Sequence, residues 1–131
     1  MAIFILAGIN SACAADKAPD IRITSPVEKI LQETTDNTLS AACRSWNPDS
    51  NTIQAVFMLS RAYPEEPYSL FYQTPCDVSG KMTIDGQPWQ FSLNGGGIMT
   101  LTSGNKTLYR GCSDAQCAPH ILLLTDAMSG K

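Results

Sequence analysis

Four cysteines, Cys43, Cys76, Cys112 and Cys117, constrain this chain more than any other feature. An even set can pair completely into two disulfides, and such bonds persist only in an oxidising compartment. A fifth cysteine, Cys13, lies at the end of an apolar N-terminal run. Ile3-Phe4-Ile5-Leu6-Ala7-Gly8-Ile9 leads into Ala12-Cys13-Ala14, the small-x-small pattern that signal peptidase cuts after. Reading residues 1–14 as an export signal leaves the even set and one domain over 15–131. The sequence therefore predicts a periplasmic or secreted protein.

The signal departs from the usual pattern in one respect, because no Lys or Arg precedes the apolar run. Ser11-Ala12-Cys13 also resembles the end of a lipobox, with Asn10 where Leu is expected. On that second reading Cys13 carries lipid, and only then does the protein meet a membrane. A third reading retains the N-terminus. The run is far shorter than the ~20 apolar residues of a transmembrane helix.

Four cysteines allow three pairings. The preferred one is Cys43–Cys76 with Cys112–Cys117, since Cys112-x4-Cys117 is a short loop and Cys43 and Cys76 each lie near a strand end. Cys112, Cys117 and His120 also form a Cys-x4-Cys-x2-His cluster. Zinc requires a fourth ligand, and the chain has no Cys-x-x-Cys to supply specific spacing. Disulfides are the expectation, with no metal and no cofactor.

A hydrophobic content of 44% with 16% charged residues describes a folded globular chain. The net charge is only -3, and Arg44, Arg61, Lys81, Lys106 and Arg110 are spread singly. No basic stripe is present, which argues against a nucleic-acid partner.

Patterning along the chain predicts a mainly β fold. Ile21-Arg22-Ile23 alternates as a short strand. Ser25-Pro26-Val27-Glu28 carries a capping serine, a first-turn proline and a Ser-x-x-Glu box, which predicts one N-terminal helix fading near Asp36-Asn37. Residues 39–46 fit a helical template through Leu39, Ala42, Cys43 and Trp46. They also fit a strand joined to residues 53–59 through the turn-rich 47–51, and the hairpin is the preferred reading because it accounts for both halves. Further strands are expected over 68–72, 82–84, 89–93, 98–101, 107–110 and 121–124. Asp85-Gly86, Asn94-Gly95-Gly96-Gly97 and Ser103-Gly104-Asn105-Lys106 supply turns between them. Seven to eight short strands at this spacing predict an antiparallel sandwich or small barrel with two disulfides.

Catalytic constellations are hard to assemble. His120 is the only histidine, next to Pro119 at the start of an apolar run, and no Gly-x-Ser-x-Gly frames a serine. Glu65-Glu66 is the only adjacent acidic pair, and adjacent residues on an extended segment point to opposite faces, so they make poor partners for one glycosidic bond. The glycine run continues into Ile98-Met99-Thr100 rather than Gly-Lys-Ser/Thr, so a hairpin turn is the better reading than a phosphate loop.

The segment Tyr63-Pro64-Glu65-Glu66-Pro67-Tyr68 combines stiffening prolines, amphipathic aromatics and a carboxylate pair. Such a loop loses little entropy on docking and steers basic partners. Tyr63, Glu65, Glu66 and Tyr68 are thus candidate partner-binding residues. The functional expectation is a non-enzymatic binding protein of the cell envelope, an inhibitor or immunity protein against a basic hydrolase or toxin. A structural or adaptor envelope lipoprotein and a small hydrolase built around His120 are the alternatives.

Overall fold

The computed structural model describes residues 18–125. Residues 1–14, which the sequence predicts to be an export signal, and Cys13 with them, therefore lie outside the described residues. Seven antiparallel strands form one sheet. They are β1 (Ile21–Ile23), β2 (Glu28–Leu31), β3 (Arg61–Tyr63), β4 (Cys76–Ile84), β5 (Gln87–Asn94), β6 (Ile98–Ser103) and β7 (Lys106–Gly111). Strands β4 to β7 are a meander, with β3 added beyond β7. Helices α1 (Asn37–Ser45) and α2 (Ser50–Leu59) lie between β2 and β3 in the chain, and short 3-10 turns occupy Tyr68–Leu70 and Ala115–His120.

The mainly β, antiparallel fold with two disulfides is as expected. Cys43 is bonded to Cys76 and Cys112 to Cys117. The strands form one open sheet rather than a two-sheet sandwich or a closed barrel. Helices, not a second sheet, complete the core on its apolar face.

That face follows from alternation. Val78 and Met82 of β4, Trp89, Phe91 and Leu93 of β5, and Met99 and Leu101 of β6 are buried together with Cys43, Trp46, Ile53, Val56 and Phe57 from the helical region. The β4–β5 hairpin turns on Asp85 and Gly86, whose φ angles of 52° and 84° are left-handed. An Asp-Gly pair suits that turn because glycine, and to a lesser degree aspartate, tolerates this region.

Four local expectations are corrected. Residues 28–31 form β2, not the N-terminal helix. The nine-residue β4 presents backbone groups along its whole free edge, and β1 covers only Met82 to Ile84. β2 pairs with the rest, from Cys76 to Ser79. Ser25 patches the break between them, its Oγ accepting the Lys81 N–H at 2.8 Å. The predicted hairpin over 39–59 is a helix pair. The carboxylates of Asp36 and Asp49 each cap an N-terminus, accepting from the Leu39 and Thr52 amides at 2.9 Å. Ile53, Val56 and Phe57 are then buried at helical spacing. The Lys29 ammonium closes α1, donating to the Cys43 and Arg44 carbonyls at 2.9 Å. Residues 68–72 form a 3-10 turn and an extended stretch rather than a strand. The apolar run 121–124 joins no strand, because the Leu122 and Leu123 amides both donate to the Gly95 carbonyl.

Arg110 fastens the helices to the far side of the sheet. Its guanidinium donates to Ser60 Oγ and Ser60 O at 2.8 Å and lies 4.3 Å from the Phe57 ring centre. Burial pushes its pKa below the ordinary arginine value.

Candidate functional site: the open face of the sheet

The face opposite the helices is largely polar, with Ile30 and the buried Ile98 as aliphatic exceptions. Cross-strand register aligns Glu28, Ser79, Ser92, Thr100, Tyr109 and Tyr63 in one row across six strands. Lys81, Gln90, Thr102 and Thr107 form a parallel row. Side chains on one face of paired strands lie close enough to act as one surface.

Part of this face is a cleft of about 480 Å³. Its floor holds Asp77, Ser92, Asn94 and Thr100, and Tyr68, Thr74 and Pro75 contribute from the chain that links β3 to β4. Gln32 and Glu33, just past β2, contribute from the other side. Among the described residues its lining includes the carboxylates of Glu33 and Asp77 and no lysine or arginine. Tyr68 is 46% exposed and so presents its ring to an incoming group.

Asn94 holds the cleft together. Its Nδ2 donates to the Thr74 carbonyl and to Asp77 Oδ1, both at 2.9 Å. Its Oδ1 accepts from the Thr74 and Gly96 amides, also at 2.9 Å. One side chain therefore ties the linking loop to the sheet and fixes the Asp77 carboxylate. The loop can approach so closely because Gly96 has no side chain: a Cβ there would run into the Tyr72 carbonyl. Farther along, the Phe71 ring is buried and meets the Tyr63 ring edge-on at 5.8 Å.

The four residues of the 63–68 segment thus separate. Tyr63 pairs with Tyr109 in the sheet, packs on Phe71 and lies under the Arg61 guanidinium at 5.1 Å, so it anchors the loop. Glu65 and Glu66 are exposed and form no ion pair among the described residues. Tyr68 alone of the four lines the cleft. Asp77, Asn94 and Glu33 were not evident from the sequence, because only the β4–β5 register sets Asp77 opposite Asn94.

Cys112 and Cys117 are bonded to each other, which removes both as zinc thiolates. His120 ends the second 3-10 turn half-buried, and its backbone carbonyl accepts the Trp46 indole N–H at 3.0 Å. Among the described residues no side chain hydrogen-bonds its ring. No described helix is long and apolar enough to cross a membrane.

No family model, no curated protein and no solved structure matches this chain.

Proposed function

We propose that this chain is an exported, non-enzymatic binding protein of the cell envelope that takes a basic protein partner on the open face of its sheet. The observation that carries the reading is the cleft: it is polar, lined by Glu33 and Asp77 without a basic side chain, and bordered by the exposed ring of Tyr68. A lysine or arginine side chain suits that combination, pairing with a carboxylate while lying against an aromatic ring. Glu65 and Glu66 extend the acidic surface on the adjoining loop, where exposed charges act chiefly on encounter rate. Two buried disulfides suit the oxidising environment of a periplasmic or secreted protein. An inhibitor or immunity protein against a basic hydrolase or toxin is a role that uses such a surface without chemistry of its own.

The test is capture of the partner from envelope extract, followed by binding kinetics at two ionic strengths. Glu65→Gln/Glu66→Gln is expected to slow association severalfold and flatten its salt dependence. Asp77→Asn and Tyr68→Ala are expected to shorten the lifetime of the complex instead. Parent-like kinetics in all three variants would reject this surface as the binding site.

A further inference from the structure

The two strands that share the free edge of β4 differ in how their own outer edges are covered. The Thr24 amide donates to the Lys81 carbonyl at 2.9 Å and the Gln32 amide to the Pro75 carbonyl at 2.7 Å. This alternation fixes which backbone groups face β4. In β2 those of Glu28 and Ile30 pair with Ser79 and Asp77, so the N–H and C=O of Lys29 and Leu31 point away from the sheet. In β1 the corresponding outward N–H of Ile23 is taken by Gln54 Oε1 of α2 at 3.3 Å. Nothing among the described residues plays that part for β2. Its two large apolar side chains are also the most exposed in the described chain, Ile30 at 53% and Leu31 at 50%.

We infer that β2 is a self-association edge, on which a second copy of this chain adds its own β2 antiparallel about a two-fold axis through Ile30. The strand is complementary to itself in that register. The outward groups of Lys29 meet those of Leu31 in the second copy, each giving and accepting one bond. Ile30 meets Ile30 on the open face, and the Leu31 side chain meets the stem of Lys29 on the other. Glu28 falls opposite Gln32, so no like charges face each other. Lys29 keeps its ammonium on the α1 C-terminus, leaving its stem for the contact. A two-fold axis perpendicular to the sheet sets both open faces on the same side. The pairing is short, so the dimer depends on protein concentration.

Sedimentation equilibrium of the full exported chain tests this, with Ile30→Lys, Ile30→Glu and Leu31→Pro as variants. The parent is expected to show a monomer–dimer equilibrium. Like charges at the axis should weaken it about tenfold in either Ile30 variant. An equimolar mixture of the two should restore dimerisation to near the parent level, an outcome that a folding defect cannot produce. Leu31→Pro removes an outward N–H without touching the β4 ladder and should also favour monomer. A parent that stays monomeric to about 1 mM, variants that dimerise like the parent, or a mixture no tighter than its components would each overturn the inference.

Discussion

Removing the disulfides one at a time separates loop closure from local packing. Cys43–Cys76 closes a separation of 33 residues and Cys112–Cys117 one of 5, while all four cysteines are at most 1% exposed. Replacing either pair with alanine removes similar buried sulfur, so that contribution largely cancels in a comparison. What differs is chain entropy in the unfolded state. On the loop-closure relation the longer bridge contributes about 3.7 kcal/mol and the shorter about 2 kcal/mol, a difference of about 1.7 kcal/mol. With an unfolding entropy of about 0.23 kcal/mol/K for roughly 110 ordered residues, the midpoints should fall by about 16 °C and about 9 °C. Differential scanning calorimetry of Cys43→Ala/Cys76→Ala and Cys112→Ala/Cys117→Ala, both without reductant, measures this. An equal or larger loss from the short bridge would refute loop closure as the main effect. The tie from Cys112 to the 3-10 turn would then matter through native packing instead.

Two further outcomes follow from local geometry. Hydrogen bonds from the Thr52 amide and side chain hold the Asp49 carboxylate below its ordinary value of 3.8. Its stabilising contribution is therefore complete above that value and lost as pH falls through the lower folded one. The melting temperature of the parent should drop more steeply below pH 4 than that of Asp49→Asn, whose amide caps α2 without titrating; equal slopes would contradict the cap. Gly96→Ala forces the Tyr72 carbonyl away and should cost about 1–3 kcal/mol in urea unfolding. It should also speed proteolysis within residues 64–75, and parent-like cleavage would show that Gly96 does not seat the loop.

The meander was legible because each strand carried its own period and each turn its own chemistry. Trp89, Phe91 and Leu93 alternate with polar residues, and Asp85-Gly86 or the glycine run punctuates them. Ambiguity arises where one composition supports two periods. Ile53, Val56 and Phe57 are strand formers by type, yet Asp49 is an N-cap residue type whose carboxylate accepts the Thr52 amide, and their spacing is helical. Ser25-Pro26 reads as a helix start in isolation. The uncovered edge of β4, a demand no local pattern encodes, turned residues 28–31 into a strand. Tyr68 could be named from its loop composition. Asp77 could not, since it lies nine positions farther on and reaches the cleft only through pairing with β5.

The same register explains why no second sheet or helical layer covers the open face, on which only the chain linking β3 to β4 lies. Buried apolar residues on β4, β5 and β6 alternate with Ser79, Ser92, Thr100 and Thr102, so one run of strands satisfies the helices on one side and water on the other. A face of hydroxyls does not attract a second apolar layer, which fits an open sheet rather than a sandwich. It still offers donors and acceptors at fixed spacing, and Asn94 holds the loop and Asp77 rigid beside them. A partner that pairs with Asp77 meets a carboxylate already held in place, so little ordering cost opposes binding. Asn94, itself on the cleft floor, should accordingly control affinity chiefly by holding Asp77 and the loop in place. Asn94→Ala releases both the loop and Asp77, and it should weaken binding about tenfold or more even where Asp77 is intact. Measured against the captured partner under conditions where the variant remains folded, unchanged affinity would show that the Asp77 carboxylate needs no such support.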